Sequence, residues 1–173
     1  MQVLYPTMTI VVAKSATKLS ILGQNRHMAN SDMVRAYVEK ILKEFLGTDA
    51  LKADDDGDFP IRHGSAAYYV RITGGDSLHV SVFSEVLLEV EASAELYEVL
   101  NDINAHIRGA RIFHRGDRII LATEVEPDDM QPAELAAACE RIAKIADHYD
   151  DQLHDKFGGK LMFDEDATES VEV

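Results

Sequence analysis

The sequence predicts an α+β domain whose elements follow the order α-β-β-β-α-β-β-α, with an antiparallel five-stranded sheet packed by helices. Two observations predict this fold. The hydrophobic period changes from helical to alternating and back along the chain, and glycine-containing turns separate the alternating segments. Strands joined by hairpins pair antiparallel, so one sheet with helices on one face is the simplest arrangement.

The first predicted element is a helix over Ser31–Leu46. Asn30 or Ser31 can cap it, because each side chain offers an oxygen to the free N–H groups of the first helical turn. Gly47 can adopt the left-handed conformation that commonly ends a helix. The apolar residues recur at helical spacing and form one stripe: Val34, Val38, Ile41, Leu42 and Phe45.

Three strands are predicted from residue 59 to residue 90, because apolar and polar residues alternate there with a period of two. The clearest of them is the third, Leu78–Val90. A straight strand of this length would be unusually long at about 3.3 Å per residue. We therefore expect it to bend near Ser84 and Glu85.

The second half of the chain repeats the change of period. A second helix is predicted over Ala94–Ile107, with Ser93 as its cap. A two-strand hairpin follows over Ala110–Val125. The last helix is predicted over Pro132–Phe157, because proline fits the first helical turn and the pair Gly158–Gly159 can end the helix.

Composition divides the chain into three parts. Residues 1–29 show no sustained period and carry three basic residues and no acidic one, which predicts a flexible basic arm. Residues 30–160 hold the patterned domain. Residues 161–173 are strongly acidic, which predicts a disordered tail. The natural start could be Met1 or Met28.

The charge excludes some classes of protein. The chain carries a formal net charge of −14, and residues 30–173 carry −17. Such an acidic body repels phosphate backbones, so we expect no nucleic-acid partner. No apolar run approaches the length of a membrane span or a signal peptide. The single cysteine, Cys139, excludes an internal disulfide and is typical of a cytoplasmic protein.

No catalytic, cofactor or metal site is predicted. The acidic run Asp54–Asp58 resembles a calcium loop, but Lys52 and His63 occupy positions that an EF-hand fills with carboxylates, so we expect a solvated turn. His148 and His154 are six residues apart and therefore lie on different faces of a helix. The residues thus predict a protein that is not an enzyme. A small-molecule sensor or enzyme with a polar pocket under the sheet is the alternative.

Five residues are candidates for contact with a partner polypeptide. Tyr68 and Tyr69 are adjacent in a strand, so only one of them can face the core. Phe83 interrupts the polar face of the third strand. Asn101 and Asn104 are three apart on one helix, where they can bond to a ligand or tie the helix to the sheet.

Several motifs give the chain a family resemblance. They are the acidic-glycine lead Asp56–Phe59, the long third strand, the helix segment Leu100–Asn104 and the ending Phe157–Gly159. In this order and spacing, the run from Ser31 to Gly159 resembles the YbjN-type family, whose members are related to the type III secretion chaperones.

The resemblance implies a type III secretion chaperone-like fold, a homodimer, binding of a peptide and no catalytic residues. It also implies a regulatory role, in sensory transduction, for some members. Apolar residues outside the main stripes of the last two helices independently favour a homodimer: Tyr97, Val99, Ala138 and Ile145. We therefore expect a cytoplasmic, non-catalytic peptide-binding adaptor or chaperone-like protein. A purely structural homodimer is a further alternative.

Overall fold

A computed structural model describes the chain at 16–63, 66–74 and 78–162, with side chains described from residue 31 onward. Within these ranges the predicted α+β class and the order of elements are confirmed. The helices are α1 (Ala16–Leu46), α2 (Ala94–His106) and α3 (Pro132–Phe157), and the strands are β1 (Phe59–His63), β2 (Ala66–Thr73), β3 (His79–Leu87), β4 (Arg111–Arg115) and β5 (Arg118–Val125).

The five strands form one antiparallel sheet in the spatial order β1-β2-β3-β5-β4. The first three strands are consecutive neighbours, as hairpins require. α2 then carries the chain across the sheet, so that β5 lies beside β3 and β4 forms the far edge. The edges of the sheet are therefore β1 and β4.

One continuous hydrophobic core joins the three helices to one face of this sheet. Alternate strand residues enter it, such as Val70 on β2, Val82 on β3 and Leu121 on β5, and all three are fully buried. Ser84 interrupts the apolar alternation of β3, but its hydroxyl is buried and donates a 2.7 Å hydrogen bond to the carbonyl oxygen of Ala67. The core thus accepts this polar side chain because its hydrogen bond is made.

The predicted bend of the third strand is present, and the strand is shorter than expected. The register of β3 against β5 shifts between Glu85 and Leu87, as a β-bulge does. After the bulge the strand ends at Leu87, and the next residue, Leu88, pairs with Lys160 instead of continuing the main sheet. The expected strand Leu78–Val90 was therefore too long at its end.

The start of α1 is the largest departure from the predicted elements. The helix begins at Ala16, whereas the apolar stripe predicted Ser31. A hydrophobic period reports burial of one helix face, and a helix can extend beyond the buried part on backbone hydrogen bonds and helix-forming residues alone. The flexible basic arm predicted for residues 1–29 thus includes the first part of α1, over residues 16–29, and residues 1–15 lie outside the described ranges.

The chain returns to the sheet after α3. Gly158 ends the helix, and Leu88 and Lys160 then exchange two backbone hydrogen bonds of 2.9 and 2.8 Å. Gly159, which precedes Lys160, has a φ of +90°, and a Cβ there would lie 2.5 Å from the carbonyl oxygen of Leu88. Only glycine fits this position, because both its backbone conformation and the close approach exclude a side chain.

Candidate functional site

The face of the sheet opposite the three helices presents a mixed aromatic and charged surface, which we call the helix-free face. The register of the strands brings Tyr69 on β2 opposite Phe83 on β3, and Phe83 opposite Ala122 on β5. Ile120 on β5 lies opposite Phe113 on β4. Side chains of four strands therefore share one surface, and several of them are only partly buried.

An aromatic stack lies at the centre of this face. The rings of Tyr69 and Phe83 are 5.4 Å apart between centroids, with an interplanar angle of 23°. The guanidinium carbon of Arg71 lies 4.8 Å from the Phe83 centroid, a cation–π distance. Such a partly exposed cluster offers apolar area together with hydrogen-bond donors, the combination that binding surfaces favour.

A buried carboxylate holds Arg71 in this stack. Asp58 is only 3% exposed and accepts two hydrogen bonds from Arg71, one of 2.7 Å from Nε to Oδ1 and a second from Nη2 to Oδ2. These hydrogen bonds raise the pKa of the Arg71 guanidinium. Asp58 therefore departs from the solvated turn predicted for Asp54–Asp58, because it pairs across the sheet with β2.

The turn itself positions this carboxylate. Oδ1 of Asp54 accepts hydrogen bonds from the backbone N–H groups of Asp56 and Asp58, at 3.0 and 2.8 Å. The backbone N–H of Asp54 also donates to the carbonyl oxygen of Asp58 at 2.8 Å. Residues Asp54–Asp58 thus form a compact turn, which places Asp58 directly before the start of β1.

Further ion pairs extend the face towards β4. Arg118 Nη1 lies 2.5 Å from an oxygen of Glu85. Arg111 Nη2 lies 2.8 Å from an oxygen of Glu124, and its guanidinium carbon lies 5.7 Å from the Phe113 centroid. These side chains line an open depression of about 560 Å³. A smaller depression of about 250 Å³ adjoins it on the β2 side, where it reaches Tyr69 and Met162.

The structure separates the two candidate tyrosines as the strand period requires. Tyr69 lies on the helix-free face. Tyr68 is 2% exposed, lies in the core and forms a hydrogen bond with Cys139, so it is not available to a partner. Burial raises the pKa of Tyr68 and raises the pKa of the Cys139 thiol to about 12. The thiol therefore stays protonated and unreactive at neutral pH.

The two candidate asparagines have different surroundings. Both are exposed on α2, and they differ in their hydrogen bonds. Asn104 Nδ2 donates to the carbonyl oxygen of Ile112 at 2.8 Å, and Asn104 Oδ1 accepts from the N–H of Ile112 at 2.9 Å. Its carboxamide thus takes the place of a neighbouring strand at this residue. The tie between helix and sheet accounts for Asn104 without a ligand.

This tie closes part of an edge of the sheet. A two-residue turn joins Arg115 to Arg118, so alternate residues of β4 bond to β5 and the residues between them direct their backbone groups outwards. Ile112 is one of these outward residues, and Asn104 occupies both of its groups. A strand could not pair with β4 at Ile112 unless Asn104 moved away.

One small cavity lies beside the core. A cavity between β3 and α3, lined by Ser84 and Asp150 among others, has a volume of about 10 Å³. That is room for about one water molecule. Among the described residues, no group of three or more His, Cys, Asp or Glu side chains could hold a metal ion. No helix in the same part of the chain is long and apolar enough to cross a membrane.

Solved structures show the same fold. A chain of the crystal structure of the ExsC–ExsE complex matches with a TM-score of 0.54 and 13% sequence identity, over 68% of this chain and 94% of that chain. A chain of the HopA1–SchA chaperone–effector complex matches with a TM-score of 0.50 and 13% identity, over 69% and 97% of the two chains. At such low identity the likeness concerns the fold alone. No curated protein sequence matches the chain.

A family model matches most of the chain. It is described as T3SS (YopN, CesT) and YbjN peptide-binding chaperone 1, and it covers residues 32–165. The match spans both edge strands, the helix-free face and all of α2 and α3. The chain therefore belongs to the family of type III secretion and YbjN peptide-binding chaperones.

Proposed function

We propose that this protein is a non-catalytic, cytoplasmic adaptor or chaperone-like protein that binds a segment of a partner polypeptide, and that it acts in regulation. Its membership of a peptide-binding chaperone family over residues 32–165 is the observation that carries this proposal. The ExsC–ExsE and HopA1–SchA structures are both complexes, and the second is a chaperone–effector complex. A polypeptide is accordingly the partner class that we infer here.

The helix-free face is the proposed contact surface. Tyr69 and Phe83 offer stacked rings at the surface, and Arg71 adds hydrogen-bond donors above Phe83. Aromatic and arginine side chains dominate the binding energy of many protein interfaces. Pairing of a partner strand with a sheet edge is a second route, and it favours β1, since Asn104 occupies the outward groups of Ile112 on β4.

The charge of the chain favours apolar or basic partner segments. The net charge of −14 attracts cationic segments at long range and speeds their encounter. Salt screens this attraction beyond roughly 8 Å, so lasting affinity depends on apolar anchors or on strand pairing. We expect binding to weaken modestly with salt and strongly when an anchor is removed.

The test compares two single substitutions in titrations with a co-purified partner or with an apolar and basic peptide from an array. Phe83→Ala should lower the affinity about tenfold or more, because aromatic anchors contribute about 1.4 kcal/mol or more to binding. Met33→Ala removes a side chain that is 70% exposed on α1, outside the proposed face, and should leave the affinity unchanged. Thermal melts of both variants check the fold.

Two results would overturn this proposal. If Met33→Ala weakens binding and Phe83→Ala does not, the partner lies in a groove beside α1. If the purified protein instead catalyses a reaction that one histidine substitution abolishes, the enzyme or small-molecule sensor is the better description.

We also propose that the protein is a homodimer, as the resemblance implied. Tyr97 on α2 is 51% exposed, which is unusual for a large aromatic side chain and fits a contact between copies. Ala138, which the sequence also suggested for this contact, is buried in the core instead. Light scattering at micromolar concentration should give about twice the chain mass of 19.2 kDa, and Tyr97→Ala should shift it towards the monomer.

A further inference from the structure

The smaller depression on the helix-free face carries an excess of negative charge. Its lining holds four carboxylates and two guanidiniums. These are the side chains of Asp54, Asp56, Asp58, Glu85, Arg71 and Arg118. Each guanidinium is already paired with one carboxylate, Arg71 with Asp58 and Arg118 with Glu85. The lining therefore keeps two carboxylates in excess, those of Asp54 and Asp56.

These two carboxylates are accessible. Asp54 and Asp56 are both exposed, and neither forms a salt bridge with another described residue. Oδ1 of Asp54 is used within the turn, where it accepts hydrogen bonds from two backbone N–H groups. Arg35 also reaches this turn, and its Nη1 donates a 2.7 Å hydrogen bond to the carbonyl oxygen of Gly57. The neighbouring Asp55 adds one more carboxylate, so the excess is the same when Arg35 and Asp55 are both counted.

Aromatic rings form the apolar part of the same depression. Tyr69 and Phe83, whose ring centroids are 5.4 Å apart, both line it and are only partly buried. Burial raises the pKa of the Tyr69 hydroxyl, and the carboxylates of Glu85 and Asp54 raise it further. The negative potential therefore extends to Tyr69. A group with an apolar stem and a positive head suits such surroundings, because the stem packs on a ring while the head meets the carboxylates.

We propose that this depression binds a lysine or arginine side chain of the partner segment, with the stem against Tyr69 and the charged head at the carboxylates of Asp54 and Asp56. The contact rests on the proposed function, and it names one side chain that the partner contributes. Over both depressions together, six carboxylates and four guanidiniums line the helix-free face. A basic side chain is thus attracted to this face, whereas an acidic one is repelled.

The larger depression gives the partner a second contact at a defined distance. Its lining includes the apolar side chains of Phe113, Ile120 and Ala122, on β4 and β5. From β2 to β5 the sheet spans two strand spacings, about 10 Å. Side chains on the same side of an extended segment are two residues, or about 7 Å, apart, and the lysine stem spans the rest. The partner should therefore carry an apolar residue two positions from a basic one.

The experiment titrates the full-length protein with two synthetic peptides and follows its amide NMR signals. Each peptide is a short chain of glycine and serine with one phenylalanine and, two positions later, either lysine or norleucine. Norleucine has the unbranched stem of lysine without the ammonium group. The lysine peptide should shift the signals of Tyr69, Phe83 and the turn Asp54–Asp58, and it should bind about threefold to tenfold more tightly than the norleucine peptide.

Two variants of the turn separate local from long-range attraction. Asp56→Asn neutralises a carboxylate of the lining, whereas Asp55→Asn removes the same charge from an exposed neighbour that does not line the depression. Both variants keep the backbone N–H groups of the turn. Asp56→Asn should lower the preference for lysine over norleucine about twofold or more, and Asp55→Asn should leave it close to the wild-type value.

Three results would overturn the basic-side-chain site: equal affinities for the two peptides, a preference that both variants lower equally, or no shifted signals on the helix-free face. These results are distinct from a failure of the proposed function. If Phe83→Ala weakens binding of the co-purified partner but lysine gives no preference, only the basic-side-chain site is wrong. If the preference depends on Asp56 but partner binding is unaffected by Phe83→Ala, the site stands and the contact surface of the proposed function is wrong.

Discussion

Asn104→Ala tests how one edge of the sheet is closed. The substitution removes the hydrogen bonds of 2.8 and 2.9 Å that the carboxamide makes with both backbone groups of Ile112. A typical hydrogen bond contributes about 0.5–1.5 kcal/mol to stability, so the pair contributes about 1–3 kcal/mol. The site is only partly buried and water can replace the lost partners, which favours the lower half of that range.

The helix itself provides the control. Asn101→Ala changes the same residue type three positions earlier on α2, where the side chain is exposed. Both substitutions improve helix propensity by a similar amount, since alanine is the best helix former. The difference between the two variants therefore isolates the hydrogen bonds to Ile112.

The assay is the free energy of unfolding in urea, measured for both variants. We expect Asn104→Ala to be less stable than Asn101→Ala by about 1–2 kcal/mol. The opened edge should also self-associate with rising concentration, because unpaired strand groups recruit other strands. Equal stabilities would refute the structural role of Asn104, and a loss of partner affinity at equal stability would assign it to ligand contact instead.

Two further predictions concern the core and the end of α3. Gly159→Ala places a Cβ 2.5 Å from the carbonyl oxygen of Leu88, and it should lower the free energy of unfolding by about 2 kcal/mol or more. Gly158→Ala is the control, because Gly158 also has a positive φ but a Cβ there would have no atom within 4 Å. If Gly158→Ala lowers the free energy of unfolding as much as Gly159→Ala does, the clash with Leu88 is not the cause. Burial raises the pKa of Cys139 from 9.0 to about 12 and also raises that of Tyr68. The folded state therefore keeps protons that the unfolded chain releases, so the stability that these two groups contribute should be constant below about pH 9 and fall above it, by at most about 1.4 kcal/mol per pH unit for each group. Urea unfolding at several alkaline pH values measures this fall, Cys139→Ala should reduce it, and a pH-independent free energy would count against it.

The local hydrophobic period predicted many of the helices and strands, and which face of the sheet their residues occupy. A period of two assigns adjacent strand residues to opposite faces, and it correctly required that only one of Tyr68 and Tyr69 could enter the core. Capping chemistry also acts locally, which is why Ser93 was predicted as the cap of α2, and its Oγ accepts a 3.0 Å hydrogen bond from the N–H of Leu96. The ends of α3 were predictable for the same reason, since proline and glycine act on their own backbone.

Periodicity fails where a helix or strand is not defined by burial. The part of α1 before Ser31 has no apolar stripe, so no pattern distinguished it from an irregular arm. The last residues of the predicted third strand alternate well, but after the bulge at Glu85–Leu87 the chain finds its partner at Lys160. Alternation shows that a segment suits a strand, whereas pairing depends on which other segment is brought beside it.

The candidate site depends on such distant partners. Asp58 was one of four aspartates in the run Asp54–Asp58, and only the pairing of β1 with β2 brings it to Arg71, which in turn lies over Phe83. Only the crossover through α2 brings the β4–β5 hairpin beside β3, and therefore Arg118 to Glu85. The sequence by itself determined the elements and their faces, because these follow from local spacing. The tertiary structure decided which side chains meet, because the sheet order and the return of the chain after α3 join residues that are far apart in the sequence.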